Sequence, residues 1–144
     1  MTASRTSNAP IRFYPIDMGF PEPVQPDGGV TARCDGLGTF LWFDLWQQPD
    51  RILQIHFPND CIIRILDDMA ISTESEPARW QGLVADHFAY RVEGDPFETQ
   101  QSEMWRTIND RAVHYRFHTG ESCLNVMSIS PPRFTLIPKA KAPV

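Results

Sequence analysis

A two-residue alternation of apolar side chains runs through residues 39–66 and limits this chain more than any other feature. In "TFLWFDLW" (39–46), Leu41, Phe43 and Leu45 alternate with Trp42, Asp44 and Trp46. In "RILQIHF" (51–57), Leu53, Ile55 and Phe57 alternate with Ile52, Gln54 and His56. In "CIIRILDD" (61–68), Cys61, Ile63 and Ile65 alternate with Ile62, Arg64 and Leu66. Successive side chains of a strand leave opposite faces, so this period selects half-buried β-strands. "QQPD" and "PND" between the runs supply turn formers. The pattern predicts a three-stranded meander in which Leu45 faces Leu53, Phe43 faces Ile55 and Leu41 faces Phe57. The third strand would continue it, with Phe57 opposite Cys61, Ile55 opposite Ile63 and Leu53 opposite Ile65. The second face then aligns Asp44, Gln54 and Arg64 in one row beside Trp42, Trp46 and His56. Indoles mixed with an acid, an amide and an arginine are the composition of a polar-lined pocket or a partner interface. Trp42, Asp44, Trp46, Gln54, His56 and Arg64 are therefore the candidate ligand-binding residues.

The richest run of reactive side chains is "AVHYRFHTGESCLNVMS" (112–128). Val113, Tyr115 and Phe117 alternate with His114, Arg116 and His118. A turn centred on Gly120-Glu121, expected as type II′, would pair Phe117 with Leu124 and Tyr115 with Val126. The other face would pair His118 with Cys123, Arg116 with Asn125 and His114 with Met127, as a polar or half-covered face. Four residues of strand separate His114 from His118 by about 13 Å. Zinc ligands stand only about 2.0–2.3 Å from the metal, so these two cannot share an ion without a bend. His118 and Cys123 can approach, and with Arg116 they form a weak catalytic candidate: a thiol lowered in pKa by a protonated histidine. No third ligand is placed, and no metal site is assigned.

Elsewhere, "DHFAYRVEGD" (86–95) and "PPRFTLIP" (131–138) read as strands. "DDMAISTESEPARWQGLVAD" (67–86) is the helix candidate, with Thr73 or Ser75 as cap, Pro77 in the first turn and Trp80, Leu83 and Val84 on one face. Residues 96–108 fit either a strand returning through Asn109-Asp110 or a helix capped by Asp95 with Pro96 first. Strands on both sides favour the strand. The expected fold is mainly β, an antiparallel meander, sandwich or barrel of seven to eight strands with one short helix. The alternative is α+β with 96–108 helical. Residues 1–38 read as an extended Pro/Gly-rich arm, 39–137 as a single β-rich domain, and 138–144 as a loose tail.

A chain of 144 residues fits one domain. A net charge of −5 with no basic cluster opposes nucleic-acid binding. Lys139 and Lys141 are the only lysines, so neither a Schiff-base nor a phosphate-loop lysine has a candidate in the body of the chain. "GLG" (36–38) precedes a strand and lacks the third glycine of a dinucleotide loop. GxSxG, HExxH and GxxxxGK[ST] are missing, and no cofactor is implied. Three cysteines without CxxC spacing suit a reducing compartment. No apolar signal region opens the sequence and no apolar run reaches membrane-spanning length, so the cytoplasm is expected and a membrane partner is not. The leading expectation is a non-catalytic domain that binds a small molecule or a partner, including a second copy of itself as a homodimer. The runner-up is a small-molecule enzyme or metal-binding barrel using the His118–Cys123 pair.

Overall fold

A computed structural model describes residues 9–46, 48–59, 61–67 and 75–142. Among the described residues, ten strands run in chain order: β1 (Ile11–Pro15), β2 (Pro26–Asp35), β3 (Gly38–Leu45), β4 (Arg51–Phe57), β5 (Cys61–Asp67), β6 (Trp80–Gln81), β7 (Ala89–Glu93), β8 (Val113–His118), β9 (Ser122–Ser128) and β10 (Arg133–Pro138). Two short helices, α1 (Pro96–Thr99) and α2 (Glu103–Ile108), lie between β7 and β8. The strands form two sheets, ordered β5-β9-β8-β7-β1-β6 and β10-β4-β3-β2. The protein is a mainly β, sandwich-like fold with little helix and no closed barrel. Within the Pro/Gly-rich stretch 1–38, β1 and β2 each belong to one of the sheets.

The main core lies between the sheets. Leu41, Phe43, Leu45, Leu53, Ile55 and Phe57 meet Phe88, Tyr115, Phe117, Leu124 and Val126 there. Phe43 crosses Phe88 edge-on at 5.0 Å, and Phe57 lies 5.7 Å from Tyr115. These are the apolar faces that the alternation selects, and their burial is the main driving force.

The pairing differs from the expected meander in two ways. First, β3 and β4 are adjacent and antiparallel, but Leu41 faces Ile55 and Phe43 faces Leu53, two residues away from the expected register. A slip of two preserves every side chain's face, so hydrophobic pattern cannot detect it. Second, β5 leaves the meander. It crosses to the other sheet and pairs with β9, with Ile63 opposite Val126 and Arg64 opposite Asn125. Cys61 and Ile63 still pack on the main core, while Ile62, Arg64 and Leu66 share a face with Met127, Asn125 and Cys123. Both faces of β5 are apolar enough to be covered, so its sequence suits either sheet.

Residues 96–108 are helical rather than a returning strand. Asp95 accepts the Phe97 N–H at 2.9 Å through its side chain, Pro96 opens α1, and Ser102 caps α2. Local capping outweighed the tendency of neighbouring strands to pair. Of the helix expected within 67–86, the described residues 75–86 hold only a 3-10 turn over Pro77–Arg79 followed by β6; residues 68–74, Thr73 among them, lie outside the described residues. Gly82 stops any helix there. Its φ is +97°, and a Cβ on it would stand 2.1 Å from the Phe13 carbonyl oxygen.

Phe57 is fully buried between the sheets. Phe57→Ala should cost about 3–5 kcal/mol by the shift in urea midpoint at unchanged slope. Thr135→Ala, on the exposed side of β10, should stay within about 0.5 kcal/mol.

Candidate functional site

The 112–128 hairpin forms with the expected pairing: His118 faces Cys123, Arg116 faces Asn125, and His114 faces Met127. Its turn is not type II′, because Gly120 does not take a left-handed φ. The Thr119 hydroxyl closes it instead, accepting the N–H groups of Glu121 at 3.1 Å and Ser122 at 2.8 Å.

The face expected to be polar and half-covered is an interior. His114, Arg116, Cys123 and Asn125 are each 1% exposed or less. Arg116 Nη2 donates to Asp95 Oδ1 at 2.5 Å, and its Nε donates to Asn125 Oδ1 at 2.9 Å. His114 Nε2 donates to the same Asn125 oxygen at 2.8 Å. The Phe13 ring covers the Arg116 guanidinium at 5.1 Å, and Phe97 lies beneath Arg64 at 4.7 Å and beside His114 at 5.2 Å. Four nitrogens buried here, His114 Nδ1, Arg116 Nη1, His118 Nε2 and Asn125 Nδ2, have no protein partner among the described residues.

Burial, reinforced by the charge of Arg116, lowers both imidazoles to about 4. His118 is therefore neutral at pH 7, and the imidazolium needed to activate a facing thiol is disfavoured. Cys123 is fully buried as well. Among the described residues, no three His, Cys, Asp or Glu side chains gather as metal ligands.

The second candidate set is dispersed. Trp42 is buried, donates from Nε1 to Gln54 Oε1 at 3.0 Å, and stacks on Phe40 at 5.6 Å. Phe40 in turn stacks on His56 at 4.1 Å, whose Nε2 donates to the Leu37 carbonyl at 2.8 Å. Arg33 lies 5.2 Å from both the Phe40 and Trp42 rings. Together these make a closed ladder on the outside of the four-stranded sheet. Asp44 is exposed and pairs with Lys139 at 3.2 Å. Arg64 lies on the other sheet, opposite Asn125 rather than Gln54. Trp46 stands apart, 58% exposed at the end of β3.

Trp46 and His118, drawn from the two candidate sets, border one cavity of about 590 Å³ at an end of the sandwich. The start of β2 brings Asp27 and Gly28, the turn before β7 brings Asp86, His87 and Phe88, and the β8–β9 turn brings Glu121. Among the described residues, no lysine or arginine lines it. Gly28 has φ +67°, and a Cβ there would lie 3.0 Å from Glu121 Oε2, so the absence of a side chain admits that carboxylate. Asp86 is held at φ +61°, a costly conformation for a residue with a side chain. Tyr90 fixes that turn: its hydroxyl donates to the Val84 carbonyl at 2.9 Å and accepts the Val84 N–H at 3.0 Å. The His87 imidazole is engaged elsewhere, on the Ile16 carbonyl at 3.0 Å. The acids escaped the sequence reading because three distant segments meet here. The doublet Gly28-Gly29 and the Gly120-Glu121 turn were the only local signals.

Compared with protein-family models, curated proteins and solved structures, the chain matches none of them. No helix among the described residues is long and apolar enough to cross a membrane.

Two outcomes follow. His114 and His118 are lowered from 6.5 to about 4, so the unfolded chain binds more protons between those values. Their contribution to stability is complete above pH 6.5 and is lost as pH falls toward 4. The unfolding free energy from urea titrations across that window should fall by on the order of 1 kcal/mol per pH unit for each histidine; His118→Gln should flatten the slope. Cys123 should resist iodoacetamide in the folded chain while the exposed Cys34 reacts. Equal rates at the two would contradict the closed interior.

Proposed function

We propose that this protein is a small-molecule-binding domain whose ligand is an organic cation, an amine carrying an apolar or aromatic portion. One observation carries the reading: the cavity of about 590 Å³ combines the carboxylates of Asp27, Asp86 and Glu121 with the exposed Trp46 indole and, among the described residues, no lysine or arginine. Its volume lies in the range of small-molecule sites. Carboxylates attract an ammonium group, an indole face adds cation–π attraction, and Phe88 offers apolar contact. The strained backbone of Asp86 supports the reading, because strain retained at a cavity mouth signals a conformation kept for use rather than for stability. The reading keeps the expected binding role and moves its centre from the tryptophan face to the end of the sandwich. It needs no catalytic group, and a cytoplasmic setting is part of the proposal.

Benzylamine titrated against the ¹⁵N-labelled chain should move the Trp46 indole and Glu121 amide signals, with benzyl alcohol binding far more weakly. Trp46→Ala should weaken benzylamine several-fold, corresponding to about 1 kcal/mol. Asp86→Gly should relieve the turn, leaving stability unchanged or raised by up to about 1 kcal/mol, while weakening the amine. Equal binding of amine and alcohol, or shifts scattered away from the cavity, would refute the proposal.

A further inference from the structure

The three cysteines are not equivalent. Cys123 is sealed under the six-stranded sheet's outer layer, Cys61 is half-buried and Cys34 is exposed. Cys34 sits near the end of β2, an edge strand of the four-stranded sheet, and Cys61 opens β5, an edge strand of the six-stranded sheet. Thr39 on β3 faces Cys34 directly in the β2–β3 pairing. The Thr39 hydroxyl oxygen lies 3.3 Å from Cys34 Sγ and accepts the Cys61 thiol proton at 3.2 Å. Both sulfurs therefore reach one oxygen atom, and their separation cannot exceed those two distances laid end to end. Thr39 is buried, so the oxygen that brings the sulfurs together is itself fixed.

From this juxtaposition we infer that Cys34 and Cys61 form a reversible dithiol–disulfide site joining the two sheets, with a hydroperoxide as oxidant. Forming the bond requires the two side chains, at the ends of two edge strands, to turn from Thr39 toward each other until the sulfurs stand about 2.05 Å apart. Cys34, the exposed member, meets the oxidant first. Its sulfur attacks one peroxide oxygen; the O–O bond breaks, hydroxide leaves, and Cys34 becomes a sulfenic acid. The Cys61 sulfur then attacks the Cys34 sulfur, forming the S–S bond and expelling the second hydroxide. The two thiol protons and two hydroxides make two waters. Two thiols have lost two electrons, and one hydrogen peroxide has gained them. Cys123 takes no part. The bond would tie β2 to β5, which no backbone pairing connects.

The experiment oxidises the dilute full-length chain with hydrogen peroxide, blocks remaining thiols with a maleimide, and maps tryptic peptides. Cleavage at Arg33, Arg51 and Arg64 places Cys34 in peptide 34–51 and Cys61 in peptide 52–64. The expected result is one species joining these two peptides, reversed by dithiothreitol, with Cys123 unmodified. The oxidised wild type should also unfold at a higher urea concentration than the reduced one. Cys34→Ser and Cys61→Ser should each abolish both effects, and near-unchanged reduced-state urea midpoints would show that these variants fold. Over-oxidation of Cys34 to sulfinic acid, or a Cys34–Cys34 dimer between chains, without the 34–61 link would overturn the inference.

Discussion

The ion pair between Arg116 and Asp95 organises more of this molecule than any apolar contact. Arg116 projects from the middle of the six-stranded sheet, on the face turned away from the main core. A guanidinium buried there without a carboxylate would be prohibitively costly, and breaking such a pair is among the most destabilising of single changes. Asp95 answers that charge with one oxygen and caps α1 with the other. The same carboxylate thus fixes where the chain turns out of β7. It also sets Phe97 over His114 and Arg64. Phe13, Tyr90 and Trp80 complete the cover from the other side. The six-stranded sheet is consequently buried on both faces over much of its width, an uncommon demand on an antiparallel sheet.

That cover decides where function can reside. His114 and Cys123, which make the hairpin look reactive, are shut inside it, and His118, which borders the cavity at the end of the sandwich, keeps a neutral imidazole. The tryptophan face of the other sheet is closed differently, by aromatic rings stacked on one another and flanked by Arg33. The open end of the sandwich is where strand ends and turns leave an indole and three acids around a cavity. Backbone strain at Asp86 and a side-chain-free Gly28 belong to this same end.

Several elements were legible because their determinants are local. The β8–β9 hairpin pairs as expected, since polar and apolar residues alternate cleanly on both arms and a two-residue turn leaves one register. The helical alternative for 96–108 was also legible, in the Asp95-Pro96 start. The β3–β4 pairing was recovered but its register was not, because a two-residue slip leaves every side chain on its face. The departure of β5 was hidden by Ile62 and Leu66, which make its second face as apolar as its first. Of the candidate site, only Trp46 and His118 were visible beforehand, and each belonged to a different set.

Alternation, turn residues and caps thus determined, from sequence alone, a mainly β chain with most of its strands in place and the faces of its central strands assigned. These signals act over a few residues, where sterics and side-chain direction leave few choices. Tertiary structure alone decided which sheet β5 joins, that Arg116 finds Asp95, that Cys34 and Cys61 share Thr39, and that Trp46, Asp86 and Glu121 surround one cavity. Each of those depends on segments far apart in the chain. Their meeting is set by the burial and charge pairing of the whole fold, which no short window of sequence records.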